Sequence, residues 1–192
     1  MTLAIYGLLF FFLLFSYEFL PKEIKKYYKI FYTLLEYSFF TFFFWKNIAS
    51  QKLRKSILIL SILFFAFLIF YVLTSDIKRL DSIPIGIETI LILVYIFFFF
   101  YELSKSINEL FIYNHYCFWL AVGILIYLGG SFFFYILIDH LTRDQVNTFG
   151  NLTFLAEVLK NILFLAAIFI YARYPIAKQD KNSSSVPYLD MI

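Results

Sequence analysis

Histidine, aspartate and cysteine, on which most membrane enzymes depend, are scarce in this sequence or placed where they can do little chemistry. Every aspartate lies between or beyond the apolar runs, whereas an intramembrane aspartyl protease needs two at depth. His115 and His140 are isolated at segment ends, so the His-Glu-x-x-His spacing that holds zinc on one helix face is missing. Ser61 and Ser131 have no histidine at their depth to act as a base. The chain therefore reads as no enzyme, and neither a metal nor a cofactor is expected. Cys117 is the sole cysteine, which excludes an intramolecular disulfide and leaves the redox compartment open.

Charge is scarce too, at 15% of residues, where a soluble domain carries ~25%. The net charge of +3 is too small to point to nucleic acid. Apolar side chains take up the difference: 62% of the chain is hydrophobic and 24% aromatic. They gather in six blocks, Leu3–Leu20, Tyr27–Trp45, Ser56–Thr74, Ile83–Leu103, His115–Ile138 and Phe149–Tyr171. Each is close to the ~17–25 residues with which a helix crosses ~30 Å of hydrocarbon. Runs such as Phe10–Phe12 and Ile96–Phe100 do not alternate as the strands of a membrane barrel must. Backbone polar groups in lipid have to be satisfied within the segment, which leaves helices. The expected fold is all-α, a polytopic transmembrane bundle of about six spanning helices with short loops, held in the lipid bilayer. No basic region precedes the first block, and Pro21-Lys22-Glu23 stands where a signal cleavage site would need small residues, so that block is expected to stay as a helix.

None of the links between blocks can hold a domain, so consecutive helices should be antiparallel neighbours within residues 1–172. Residues 173–192 read as a polar, disordered tail. The end of that tail, Val186–Ile192, offers a docking segment for a membrane or cytoplasmic protein partner, and a homo-oligomer is a further option. With both termini cytoplasmic, eight Lys and Arg fall inside and seven outside. The conflict comes from Lys22–Lys29 alone; without that loop the bias is eight to three and favours both termini inside, in a bacterial inner membrane. A first block that fails to span, leaving five crossings, and a dual-topology dimer are the other readings of the same charges.

Inside the blocks, ionisable groups are rare enough to be informative. Glu36, Glu88 and Glu157 fall in the second, fourth and sixth blocks, which cross in the same direction if the helices alternate. They then occupy one layer, with Lys160 at its edge. Glu88, Tyr95 and Glu102 are spaced by seven and so share a face, as do Tyr32 and Glu36. Glu157 and Lys160 are close enough to pair, and Asn161 stacks over Glu157. Groups of this kind cost ~2.5–3.5 kcal/mol at the bilayer centre on insertion scales, so they face partners or water and often mark function. The alternative is interhelical glue, worth ~0.6 kcal/mol per hydrogen bond on average. The layer of Glu36, Glu88, Glu157, Lys160 and Asn161 is thus the candidate for ligand binding or ion relay. Gly123 and Gly130, seven apart on the fifth block, are the candidates for close helix packing.

The runs Leu35–Phe40, Phe118-Trp119 with Gly123–Gly130, and Leu159–Phe164 resemble a loosely defined group of Phe-rich bacterial multi-helix membrane proteins, similar to the membrane sensor regions that precede histidine kinases. The resemblance implies a signalling role, with any kinase on a separate polypeptide. The leading expectation is therefore a sensory or regulatory membrane module. Its rivals are an oligomeric ion channel or proton-coupled transporter, and a structural subunit of a membrane complex.

Overall fold

A computed structural model of the protein describes residues 6, 7, 9, 12, 13, 15–17, 19–74, 82–105, 115–137 and 141–173, without the side chains of Lys22, Glu23, Lys26, Ser82, Phe133, Tyr135, Ile136 and Arg173. Arg173, expected to open the tail, is the last residue of the final helix, and the rest of the expected tail, 174–192, and His140 lie outside the description. Among the described residues, six helical elements follow one another. In α1 the described positions between Tyr6 and Tyr17 are all helical. The others are α2 (Lys22–Asn47), α3 (Gln51–Thr74), α4 (Ser82–Lys105), α5 (Tyr116–Leu137) and α6 (Arg143–Arg173). No strand occurs among the described residues. Among the described residues, three helical stretches are long and apolar enough to cross a membrane: Gln51–Thr74, Ile83–Lys105 and Arg143–Ala172. The described residues form an all-helical bundle that includes helices of membrane-spanning length and apolarity.

Several helices start earlier than their apolar blocks, because polar first turns carry no hydropathy signal. Helix α6 begins at Arg143 rather than near Phe149. Its start is fixed by a reciprocal cap: the Thr142 backbone N–H donates to Gln145 Oε1 at 3.0 Å, and Gln145 N–H donates to Thr142 Oγ1 at 3.5 Å. Such a box satisfies two of the orphan donors at a helix start, and Asp144 in the first turn complements the helix dipole.

Contacts along the chain show that consecutive helices alternate in direction. Tyr28 of α2 donates to Leu13 O of α1 at 2.7 Å, while Tyr6 packs against Phe39 and Phe40. Tyr37 of α2 meets Phe64 and Phe65 of α3, and Trp45 lies under Arg54. Phe100 of α4 meets Phe118 of α5, and Tyr116 of α5 meets Tyr171 of α6. Tyr37–Tyr95 and Phe44–Phe99 then advance together, so α2 and α4 run parallel. Helix α4 packs on α2, α3 and α5. Its apolar span is 44% buried against 22% for those of α3 and α6, which makes α4 the central helix.

One end of the bundle is built as a rigid clasp. The three residues between α2 and α3 leave backbone groups that water or side chains must satisfy. Glu102 Oε1, from α4, accepts the N–H groups of Ala49 and Ser50 at 2.9 and 3.0 Å. The Arg54 guanidinium donates to the carbonyls of Ile48 and Lys46 and stacks over Trp45. Cys117 donates to Asn47 Oδ1 at 3.2 Å, bringing α5 to the same end. Lys46, Lys52, Arg54, Lys55 and Lys105 gather at this end.

Candidate functional site

The interior layer forms where α5 and α6 approach most closely. A Cβ built on Gly130 would lie 2.7 Å from Ala156 Cβ, and one on Gly123 would lie 3.1 Å from Phe164 Cε1 and 3.3 Å from Leu163 Cβ. At position 130 only glycine permits the observed separation, and a Cβ at position 123 would require Phe164 and Leu163 to give by a few tenths of an ångström. The two glycines bracket Tyr127 on α5, and Ala156 and Phe164 bracket Lys160 on α6. The antiparallel register therefore sets Lys160 against Tyr127, and the Lys160 Nζ lies 3.9 Å from the centroid of the Tyr127 ring. Lys160 is 3% exposed, and an ammonium so desolvated gains ~2 kcal/mol or more from an aromatic face.

The acids arrive from the neighbouring helices. Glu36 of α2 is buried, lies within electrostatic reach of Lys160 and Glu157, and receives a hydrogen bond from Tyr127. Glu88 of α4 is buried within reach of Glu36. Tyr6 of α1 is within reach of Glu36, Glu157 and Glu88, and its ring closes the layer against Phe39 at 4.5 Å, Phe40 at 5.7 Å and Phe164 at 6.0 Å. Five helices thus supply one polar cluster of Tyr6, Glu36, Glu88, Tyr127, Glu157 and Lys160. Glu36 Oε1 and Glu88 Oε1 are buried and, among the described residues, have no hydrogen-bond partner. Buried polar atoms nearly always have one, so each such exception calls for an explanation. Among the described residues no cluster of three or more His, Cys, Asp or Glu is arranged to hold a metal ion.

The sequence-derived layer is thus largely assembled, with two differences. Lys160 faces Tyr127 and Glu36 of other helices, while its expected partner Glu157 sits half-buried at the rim. Asn161 is exposed and does not join. The buried stripe of α6 runs through Ala156, Lys160, Phe164 and Ala167, and one residue further rotates a side chain by about 100°, which carries Asn161 past the rim. Tyr6 was missed because a lone tyrosine in an apolar run reads as packing.

A second polar network escaped the sequence reading. Tyr37 donates to Ser61 Oγ at 3.0 Å, Ser61 donates to Ile57 O at 2.7 Å, and the Tyr37 and Tyr95 hydroxyls lie 2.9 Å apart. It joins α2, α3 and α4 in the core. Tyr37→Phe removes two of these bonds and is expected to destabilise the bundle by about 1–2 kcal/mol, read as a fall in the detergent-solubilised Tm. Thr89 and Ser131, also buried, are satisfied by carbonyls of their own helices at Ile85 and Tyr127.

Comparison of the chain with protein-family models, with curated proteins and with solved structures gives no match.

Proposed function

We propose that the protein is a sensory or regulatory module of a bacterial inner membrane, in which six helices cross the bilayer and the buried layer responds to the gain or loss of a proton. The reading rests on Glu36 and Glu88, two core carboxyls from different helices within electrostatic reach of one another, each with an unpartnered oxygen. Glu36 lies within reach of the Lys160 ammonium and of Glu157 on α6 and Tyr127 on α5, and Tyr6 of α1 lies within reach of both core acids. Moving one proton changes the charge of this cluster where Coulomb interactions are several-fold stronger than in water. The change bears on the packing of five helices at once. The basic residues at the clasp favour that end as cytoplasmic. Both termini then lie inside, where a membrane or cytoplasmic partner would read the signal; a histidine kinase is the partner that the sequence resemblance suggests.

A proton-coupled transporter would use the same acids, but many such proteins build their sites from interrupted helices. The described helices are continuous, with no positive φ. Infrared difference spectra of the protein in vesicles, taken across a pH titration, should contain a carboxylic-acid band that is lost in Glu36→Gln and Glu88→Gln. Liposomes holding the wild-type protein should show no proton or monovalent-cation flux. A spectrum without a titrating carboxyl sinks the proton-responsive reading, and a flux that disappears in Glu157→Gln would make the protein a channel or transporter.

A further inference from the structure

We propose that two copies of this chain meet along the outward face of α6, joined at mid-membrane by their Asn161 side chains. Asn161 is exposed near the middle of the apolar stretch Phe149–Tyr171 and, among the described residues, bonds to nothing. A carboxamide facing hydrocarbon has two donors and an acceptor that lipid tails cannot satisfy. Lone lipid-facing polar groups of this kind are expensive, and helix association that gives them partners is favourable.

The occupant follows from the chemistry of the amide and the spacing around it. Phe154, Val158, Asn161, Leu165 and Ile168 are separated by four, three, four and three residues, and all are exposed. This is the alternation of a left-handed helix–helix seam. It extends over about 21 Å at 1.5 Å per residue, most of the hydrocarbon thickness. Asn161 stands at its centre. A side chain that both donates and accepts is complementary to its own copy, and a twofold axis along the membrane normal brings the two amides together while keeping both copies in one orientation. A central asparagine in such a seam also fixes register. A second copy of the chain supplies the missing partner without any other molecule. Glu157 lies half-buried between this face and the interior layer, so the seam borders the candidate site, although the proposal does not depend on the function of that site.

Energy transfer between labelled copies of the full chain in liposomes, measured across protein-to-lipid ratios, tests it. The wild-type protein should dimerise, and Asn161→Leu should weaken association about tenfold. Position 161 lies on the outer face, so leucine there leaves the fold intact. Oxidative cross-linking supplies the second readout: Ile168→Cys should trap a disulfide dimer and Leu63→Cys, on the exposed face of α3, should not. A wild-type monomer at every ratio, unchanged association in Asn161→Leu, or equal trapping at positions 63 and 168 would each overturn the proposal.

Discussion

Gly130→Leu is expected to break the α5–α6 contact and prevent the bundle from accumulating in the membrane. Even the smallest step, Gly130→Ala, places a methyl 2.7 Å from Ala156 Cβ, and neither atom can turn away because both are fixed to helix backbone. The helices must part, and overpacking of this kind costs ~1–3 kcal/mol per site. Leucine adds three further carbons to the same collision. Because the glycines hold Tyr127 over Lys160, separating the helices also removes the ammonium from its aromatic face. Two comparisons isolate the cause. Ala156→Gly in the same chain should restore Gly130→Ala to near wild-type stability, since the clashing atom is gone. Gly129→Ala, one residue away with nothing within 4 Å of its added Cβ, should be neutral or stabilising by up to ~1 kcal/mol, the usual gain of alanine over glycine inside a helix. Thermal unfolding in detergent, followed by tryptophan fluorescence, reads all four variants. Equal losses at positions 129 and 130 would mean that close approach is not what Gly130 provides.

Much of this arrangement was legible because lipid leaves a chain few options. Apolar blocks of spanning length forced helices, short links forced alternation, and alternation put Glu36, Glu88 and Glu157 at one level. The seven-residue stripe Glu88, Tyr95 and Glu102 does face inward, yet its third member serves a purpose that spacing cannot reveal: Glu102 holds the turn at Ala49 and Ser50. Gly123 and Gly130 announced a close contact but not its partner, because register between helices depends on side-chain fit across the pair rather than on either sequence alone. The Tyr37–Ser61–Tyr95 network was hidden for the same reason, its members lying on three separate helices. Asn161 shows the limit of reading faces from spacing. It sits 40° from Glu157 on an ideal helix, close enough to share a stripe on paper, but Glu157 already marks the edge of the buried face. The start of α6 was readable from Thr142 and Gln145, which hydropathy alone passes over.

Lys160→Met is expected to be as damaging as the glycine clash, for an electrostatic reason. Methionine keeps the length and much of the volume of the lysine stem, so packing around Ala156 and Phe164 changes little. The ammonium disappears, leaving Glu36 buried without the cation that, among the described residues, lies within its reach. Removing one partner from a buried charged pair costs ~3–5 kcal/mol, a large part of the 5–15 kcal/mol that separates folded from unfolded in an ordinary domain, to order of magnitude. The variant should therefore show a sharply reduced folded yield in membranes and a lower Tm in detergent. Glu36→Gln removes a carboxylate within reach of Lys160 while keeping its shape, and the double variant Lys160→Met/Glu36→Gln should recover most of the loss. Once the effect of Glu36→Gln alone is subtracted, that recovery gives the coupling energy of a double-mutant cycle, and its sign distinguishes charge from packing. If the double variant is as impaired as Lys160→Met alone, the ammonium matters through its contact with the Tyr127 ring, and Tyr127→Leu should then reproduce the full defect. If Tyr127→Leu is mild and the double variant recovers, the acids and the lysine act as one charge-balanced unit, and a single proton added to that unit is enough to alter what holds five helices together.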